Sequence, residues 1–139
     1  MIDFNFLTDF SFDNEDHYST WLSSIVSSEG KDLGELTYVF CDDEYLHKMN
    51  VDYLNHETLT DIITFDYCEG SIVSGDVFVS VERVKENAID FNVPFVDELL
   101  RVMAHGTLHL CGYKDKSEDD VVLMRSKEDE KIKLFHVEQ

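Results

Sequence analysis

The stretch between Leu99 and Cys111 most constrains the fold, because its apolar side chains cover most of a helix and leave one polar stripe. The apolar arc consists of Leu99, Leu100, Val102, Met103, Leu108, Leu110 and Cys111. The stripe consists of Glu98, Arg101, His105 and His109. A helix with so wide an apolar arc must be buried on most sides, so the stripe is expected to face a cleft. Pro94 suits the first turn of this helix, and Gly112 suits its end.

Alternating and helical patterns along the rest of the chain predict strands and helices in mixed order. The predicted strands are Ile2–Phe6, Glu35–Cys41, Asp61–Tyr67 and Asp76–Val81. The predicted helices run from Asn14 to Gly30, from Asp42 or Asp43 to about Tyr53, from Glu82 to Phe91 with Val84, Ala88 and Phe91 inward, from Pro94 to Cys111, and from Ser117 onward. These elements predict an α+β fold, a single domain over residues 1–139 with a mixed sheet of about four strands and about five helices.

The charge of the chain is strongly negative, with 30 acidic residues against 11 basic ones in 139 residues and a net charge of -19. This imbalance argues against broad electrostatic attraction to nucleic acid, although a nucleic acid can still bind at a local site. The N-terminus has no basic region before an apolar run, so no signal peptide is expected, and no apolar stretch is long enough to span a bilayer. The three cysteines are widely spaced, which fits a reduced cytoplasmic compartment.

His105 and His109 are four residues apart and lie on one face of the predicted helix, with Cβ atoms about 6 Å apart. Both imidazoles can then reach one zinc ion at about 2.0–2.1 Å. The spacing resembles the H-E-x-x-H helix of the zincins, so a zincin-like metal-binding helix is expected. Gly112 permits a left-handed turn, which can bring Asp115 back towards the two rings as a third ligand. Two histidines and one carboxylate are a known catalytic zinc set that leaves room for water, so a metal-bound water is the expected nucleophile.

The sequence assigns no general base. Gly106 follows His105, whereas the zincin peptidases carry a glutamate at that place, and this argues against a peptidase. Four acids are conceivable bases, but each also fits a cap, a turn or a surface acid: Asp61, Asp66, Asp76 and Glu98. Cys111 points away from the stripe and is expected to be a small core residue. The remaining histidines are expected on the surface: His17, His47, His56 and His136.

The run His105–Asp115 resembles the H-G-x-L-H-L-x-G-Y-D-H signature of the YbeY endoribonuclease family of rRNA maturation factors. The matching positions are His105, Gly106, Leu108, His109, Leu110, Gly112 and Tyr113. Two further blocks agree in order and spacing: Asn50 and Tyr53 with Thr60–Phe65 resemble N-x-x-Y-R … T-D-V-L-S-F, and Gly75–Val77 resembles G-D-I. The resemblance covers about Leu46–Asp115. It implies a zinc-dependent single-strand endoribonuclease of rRNA maturation, an α+β fold with its metal in a cleft, and cytoplasmic partners in the ribosome.

Three positions depart from the family pattern, and at the first of them Lys114 replaces the family aspartate. The third family histidine falls on Asp115, a harder and anionic ligand that widens the choice of metal from zinc towards manganese or iron. The family arginine after the aromatic residue falls on Leu54, which removes a natural phosphate clamp. Arg101 is one replacement for it, and a surface salt bridge is the alternative role of Arg101. Four cations near the ligand loop offer RNA an approach or form ion pairs with Asp119, Asp120, Glu128 and Asp129: Lys114, Lys116, Arg125 and Lys127.

Three functions remain open from the sequence. The leading hypothesis is a metal-dependent hydrolase that cuts single-stranded RNA in ribosome biogenesis, with one ion per chain on His105, His109 and Asp115. Its partners are then ribosomal RNA and ribosomal particles, with a ribosomal protein as a further candidate and no membrane. The second hypothesis is a ribosome-assembly binding factor whose metal is structural or vestigial. The third is a small metallopeptidase.

Overall fold

A computed structural model describes residues 1–54 and 60–137, with the side chains of Tyr53, Leu54 and Val137 outside the description. The strands in these ranges are β1 (Ile2–Phe6), β2 (Asp32–Cys41), β3 (Ile62–Asp66) and β4 (Ile72–Ser80). The helices are α1 (Glu15–Ser28), α2 (Asp43–Leu54), α3 (Val81–Phe91), α4 (Phe95–Leu110) and α5 (Glu118–Val137). The predicted α+β class, with four strands and five helices in the described residues, is confirmed.

The four strands form one mixed sheet in the order β1-β2-β4-β3. The two pairs that involve β2 are parallel, whereas β3 runs antiparallel to β4, which directly follows it along the chain. The parallel neighbours are joined through helices, as parallel pairing requires. The mixed sheet predicted from the sequence is therefore confirmed.

Strand β4 begins earlier than the sequence pattern predicted. It starts at Ile72, which pairs with Asp32, and Gly75 lies inside the strand opposite Asp66. A Cβ atom at position 75 would lie 2.4 Å from the backbone oxygen of Phe65 and 3.0 Å from the side chain of Leu110. The glycine therefore permits a close approach inside the sheet, and the prediction that it precedes the strand is wrong.

Helix α4 lies at the centre of the core, as its apolar arc predicted. Side chains of that arc pack with residues of α1, α3, α5 and the sheet in a single cluster, which includes Trp21, Tyr38, Val77 and Leu108. The indole Nε1 of Trp21 donates a hydrogen bond to the backbone oxygen of Lys131 at 2.7 Å and so ties α1 to α5. Among the described residues, no helix combines the length and the apolar character that crossing a membrane requires.

The inward orientation predicted for Phe91 is wrong. Its side chain is 62% exposed, although Val84 and Ala88 of the same helix are buried as expected. Phe91 is the last residue of α3, and the chain turns away at Asn92, which adopts a left-handed φ of 56°. The ring therefore extends beyond the part of α3 that packs on the core, and it lines a cleft described below.

Candidate metal centre

Helix α4 holds the two histidines at the border between core and solvent. The side chain of His105 is 22% exposed and that of His109 is 29% exposed. Their ring centroids are 4.7 Å apart, as the four-residue spacing predicted. The opposite face of the helix is buried, so rotation of the helix is restricted and both rings are directed to the same side.

The loop after α4 brings a carboxylate to the two imidazoles. Gly112 adopts a φ of 109°, a left-handed conformation that side chains rarely permit, and the N–H of Tyr113 donates to the oxygen of Leu108 at 3.1 Å. The Tyr113 hydroxyl donates to Glu29 of the segment after α1 and so anchors the loop. Oδ2 of Asp115 consequently lies 3.2 Å from Nε2 of both histidines.

The donor set fits one divalent ion. Ligand atoms of His105, His109 and Asp115 lie within 4.8 Å of one another in the described part of the chain. Zinc bound at about 2.0–2.2 Å in tetrahedral geometry separates its ligand atoms by about 3.3 Å, close to the 3.2 Å between Asp115 and each ring nitrogen. The Asp115 side chain is 41% exposed, so the cluster faces solvent rather than a closed interior. The structure thus brings together all three residues that the sequence proposed as ligands.

The charge around the cluster favours an ionised carboxylate at Asp115. Burial raises the pKa of this group, but the hydrogen bond and charge of His109 and the charge of His105 outweigh burial, and the pKa is lowered. Burial also opposes the charged form of His105, whose pKa is nevertheless raised by the Glu128 carboxylate and by Asp115. A cation between these groups, whether a proton or a metal ion, is therefore stabilised.

Glu128 of α5 is a member of the site that the sequence did not identify. Its side chain is 6% exposed, and Oε2 lies 2.7 Å from Nδ1 of His105. Since a carboxylate only accepts hydrogen bonds, Nδ1 carries a proton, and in the neutral imidazole Nε2, which faces Asp115, has the lone pair that a metal ion needs. The available signal was helical spacing, because Glu128 falls on the same face of α5 as the buried residues Met124, Lys131 and Phe135.

Arg101 forms salt bridges instead of remaining available to a substrate. Its Nη1 atom is 2.9 Å from Glu128 and its Nη2 atom is 2.6 Å from Asp129. The alternative that gave Arg101 a salt bridge is therefore the one that the geometry favours. Within the described residues, none of the four loop cations forms an ion pair with any of the acids expected as partners, which are Asp119, Asp120, Glu128 and Asp129, so that alternative is wrong. Lys127 pairs with Glu29 and Glu130 instead.

A cleft of about 320 Å³ opens beside the three candidate ligands. Its lining comprises Asp61, Ile62, Asn87, Phe91, Glu98, Arg101, Val102, His105, Asp115, Arg125 and Glu128. Glu98 is 6% exposed, so the expectation of a cap or surface position for this acid is wrong. Burial raises the pKa of Asp61 and of Glu98, which favours their neutral forms. Asp66 does accept a turn hydrogen bond, from the N–H of Cys68 at 2.8 Å.

Position 106 cannot hold the glutamate of the zincin peptidases, and the reason is steric. Position 106 faces the sheet, where a Cβ atom would lie 2.6 Å from the Ile62 side chain and 3.0 Å from that of Val77. A glutamate there would be buried against the sheet, away from the two histidines. The absent peptidase base therefore follows from how closely α4 packs on the sheet.

Predictions for the remaining candidate residues have mixed outcomes. Burial raises the pKa of the Cys111 thiol to about 11, and the side chain packs against the core as predicted. His136 is exposed as expected, but His17 is half-buried because its ring packs on Phe135 with centroids 4.2 Å apart. His47 is also half-buried, with one ring nitrogen buried. His56 and the side chain of Leu54 lie outside the described residues.

Comparison with known proteins gives concordant matches. The family model described as Endoribonuclease YbeY matches residues 5–136. A Flavobacterium johnsoniae protein named Endoribonuclease YbeY is 67% identical over 139 residues, which is 100% of each chain. A Flavobacterium psychrophilum protein of the same name is 60% identical over 139 residues, covering 100% of this chain and 99% of its own. The solution structure of TM1509 from Thermotoga maritima superposes with a TM-score of 0.72 at 27% identity, covering 99% of this chain and 91% of the other.

Proposed function

The chain belongs to the YbeY endoribonuclease family, and we propose from this premise that it is a metal-dependent hydrolase that cuts single-stranded RNA during maturation of ribosomal RNA. The resemblance seen in the sequence motifs is thereby confirmed at the level of the family. One observation supports the metal-dependent chemistry above all, namely the convergence of Asp115 on two imidazole nitrogens at 3.2 Å. Neither the binding-factor alternative nor the peptidase alternative is favoured.

We propose that His105, His109 and Asp115 hold one zinc ion per chain, with manganese or iron as alternative metals. A divalent ion at this place would supply an activated water and polarise a phosphoryl oxygen of the RNA. Nε2 of each histidine and Oδ2 of Asp115 are the donor atoms that face one another. Oε2 of Glu128 lies 2.7 Å from Nδ1 of His105 and keeps the imidazole proton on that nitrogen. Nε2 can therefore give its lone pair to the metal ion.

The distribution of charge suits a locally recognised polyanion. The chain carries a net charge of -19, which disfavours unspecific binding of nucleic acid over the whole surface. Lys114 and Lys116 flank Asp115 in the loop, so a phosphate can meet positive charge beside the candidate metal centre. We propose ribosomal RNA in ribosomal particles as the substrate, a ribosomal protein as a further contact, and the cytoplasm as the compartment, with no membrane partner.

Elemental analysis combined with an RNA cleavage assay tests this function. We expect about one equivalent of metal in the wild type, and loss of both metal and cleavage in His109→Ala and Asp115→Ala. Asp119→Ala is the matched control, since it removes an exposed acid close to the same loop without touching either histidine. Cleavage by His109→Ala at the wild-type rate would show that a contaminating nuclease is responsible and would overturn the proposal.

A further inference from the structure

One arginine beside the candidate metal centre forms no ion pair in the described part of the chain. The chain has three arginines, of which Arg83 pairs with Asp43 at 2.8 Å and Arg101 pairs with two acids of α5. Arg125 is exposed, lines the same cleft as His105 and Asp115, and makes no ion pair within the ranges 1–54 and 60–137. Burial raises the pKa of the Glu98 carboxyl in the same cleft and the charge of Arg125 acts to lower it, but a guanidinium that forms no ion pair is available for an anion from outside.

An exposed aromatic ring lines the same cleft. Phe91 lies at the end of α3 and is 62% exposed. Burial of this ring in the core would have stabilised the fold, so its exposure forgoes that stabilisation. An exposed phenyl ring and a guanidinium without an ion pair in the same cleft provide the two contacts with which proteins bind single-stranded nucleic acids, a stacking surface for a base and a positive charge for a phosphate. The cleft volume of about 320 Å³ is at the lower end of the range for small-ligand pockets.

We propose that this cleft is a nucleotide subsite, in which the ring of Phe91 stacks on one base of the RNA and Arg125 binds an adjoining phosphate. The proposal rests on the endoribonuclease function proposed above and adds how the substrate is held. A base paired in a duplex is already stacked on its neighbours and cannot lie against Phe91, so the subsite selects single strands. Arg125, rather than Arg101, then supplies the phosphate contact that Leu54 cannot make.

The surroundings of the subsite are compatible with a bound nucleotide. Its wall includes Asp61, which is half-buried, and Glu98, which is buried, and burial raises the pKa of both acids. The side-chain amide of Asn87 also lies in the cleft, and its Nδ2 atom is 3.4 Å from Oδ2 of Asp61. This hydrogen bond is long, so the edge of a base can take the place of Asp61 as the acceptor. These polar groups line the same cleft as Phe91 and can form hydrogen bonds to an unpaired base.

Binding and cleavage of a short fluorescent RNA by the metal-loaded protein test the subsite. We expect Arg125→Gln and Phe91→Ala each to weaken binding about tenfold and to raise KM with little change in metal content. Arg125→Gln should also reduce the dependence of log affinity on log salt by about 0.7, the value of one phosphate contact on a single strand. Phe91→Trp should bind the RNA as well as the wild type, because it keeps an aromatic ring on which a base can stack. Lys133→Gln and Ile89→Ala are matched controls, because they change an exposed cation of α5 and an exposed apolar residue of α3 outside the cleft.

A series of RNAs with one abasic position each identifies the stacked base. At the position that stacks on Phe91, the abasic substrate should bind the wild type as weakly as it binds Phe91→Ala. Wild-type affinity in both Arg125→Gln and Phe91→Ala, with cleavage intact, would overturn the subsite while leaving the endoribonuclease function standing. Failure of the metal-loaded wild type to cut any RNA would overturn the endoribonuclease function, and the binding measurements would still decide the subsite.

Discussion

Glu128 and His105, which are far apart in the sequence, are joined by a contact of 2.7 Å between Oε2 and Nδ1. The other oxygen of Glu128 accepts a hydrogen bond from Arg101 at 2.9 Å, so both carboxylate oxygens are used. The contact determines which nitrogen of His105 is free to bind a metal ion. It thereby connects helix α5, which carries none of the three candidate ligands, to the candidate metal centre on α4.

Substitution of Glu128 should weaken metal binding without removing any ligand. We expect Glu128→Gln to lower zinc affinity about tenfold, since an uncharged partner makes the imidazole of His105 a weaker donor. Isothermal titration calorimetry with zinc measures the change in zinc affinity. Asp129→Asn is the matched control, because it also removes a charge that contacts Arg101 but leaves His105 untouched. Equal loss of affinity in both variants would show that only the charge of α5 matters.

Asp115 should accept replacement by a histidine but not by an asparagine. The side chain is 41% exposed, so neither substitution should disturb the core. We expect Asp115→His to retain one equivalent of zinc and to favour zinc over manganese, because imidazole is a softer ligand than carboxylate. Asp115→Asn should bind zinc more than about tenfold more weakly, since it loses the anionic ligand. Competition titrations with zinc and manganese measure both effects, and unchanged zinc affinity in Asp115→Asn would rule out Asp115 as a ligand.

The ion pair between Glu29 and buried Lys131 should make stability depend on pH. The Lys131 side chain is fully buried, and its Nζ lies 2.7 Å from Glu29, which is 10% exposed. Burial acts to raise the pKa of Glu29, but Lys131, Tyr113 and Lys127 outweigh it and lower the pKa below the ordinary 4.5. The stabilisation is therefore complete above about pH 4.5 and is lost as the pH falls through the lower value of the folded state.

Urea unfolding of Glu29→Gln measures this contribution. Removal of one partner of a buried pair costs about 3–5 kcal/mol, and the remaining carboxylate of Glu130 should reduce the loss to about 2 kcal/mol at pH 7. The difference from the wild type should shrink at pH 3. Glu130→Gln is the control, since its carboxylate is 2.6 Å from the same Nζ but 54% exposed and should matter little. A difference that is the same at both pH values would contradict the assignment.

Gly106 should not tolerate even the small side chain of alanine without cost. Alanine gains about 1 kcal/mol of helix propensity over glycine, but overpacking against Ile62 and Val77 costs about 1–3 kcal/mol. We expect Gly106→Ala to lose about 1 kcal/mol of unfolding free energy. Gly75→Ala should lose more, about 3 kcal/mol, because its Cβ would lie 2.4 Å from a backbone oxygen that cannot move aside. Chemical denaturation of both variants measures the order, and a stabilised Gly106→Ala would contradict this packing argument.

Much of the fold was predictable from local patterns. The alternation in Ile2–Phe6 and the apolar arc of α4 each depend on neighbours a few residues apart, and both predictions are confirmed. The start of β4 was predicted wrongly because Gly75 acts through its closeness to Phe65 and Leu110 rather than as a break in the strand. The predicted inward orientation of Phe91 is wrong because helical periodicity does not indicate which part of a helix extends beyond the core.

The amino-acid sequence by itself determined the pairing of His105 with His109 and the turn at Gly112, because the period of a helix and the conformational freedom of glycine are local properties. Those two features bring Asp115 into range of both rings. Only the tertiary structure placed Glu128 on His105, paired Arg101 with acids of α5, and left Arg125 without an ion pair in the described part of the chain. These relationships depend on how α5 packs across α4, and side chains so distant along the chain meet only once the core has fixed the two helices against each other.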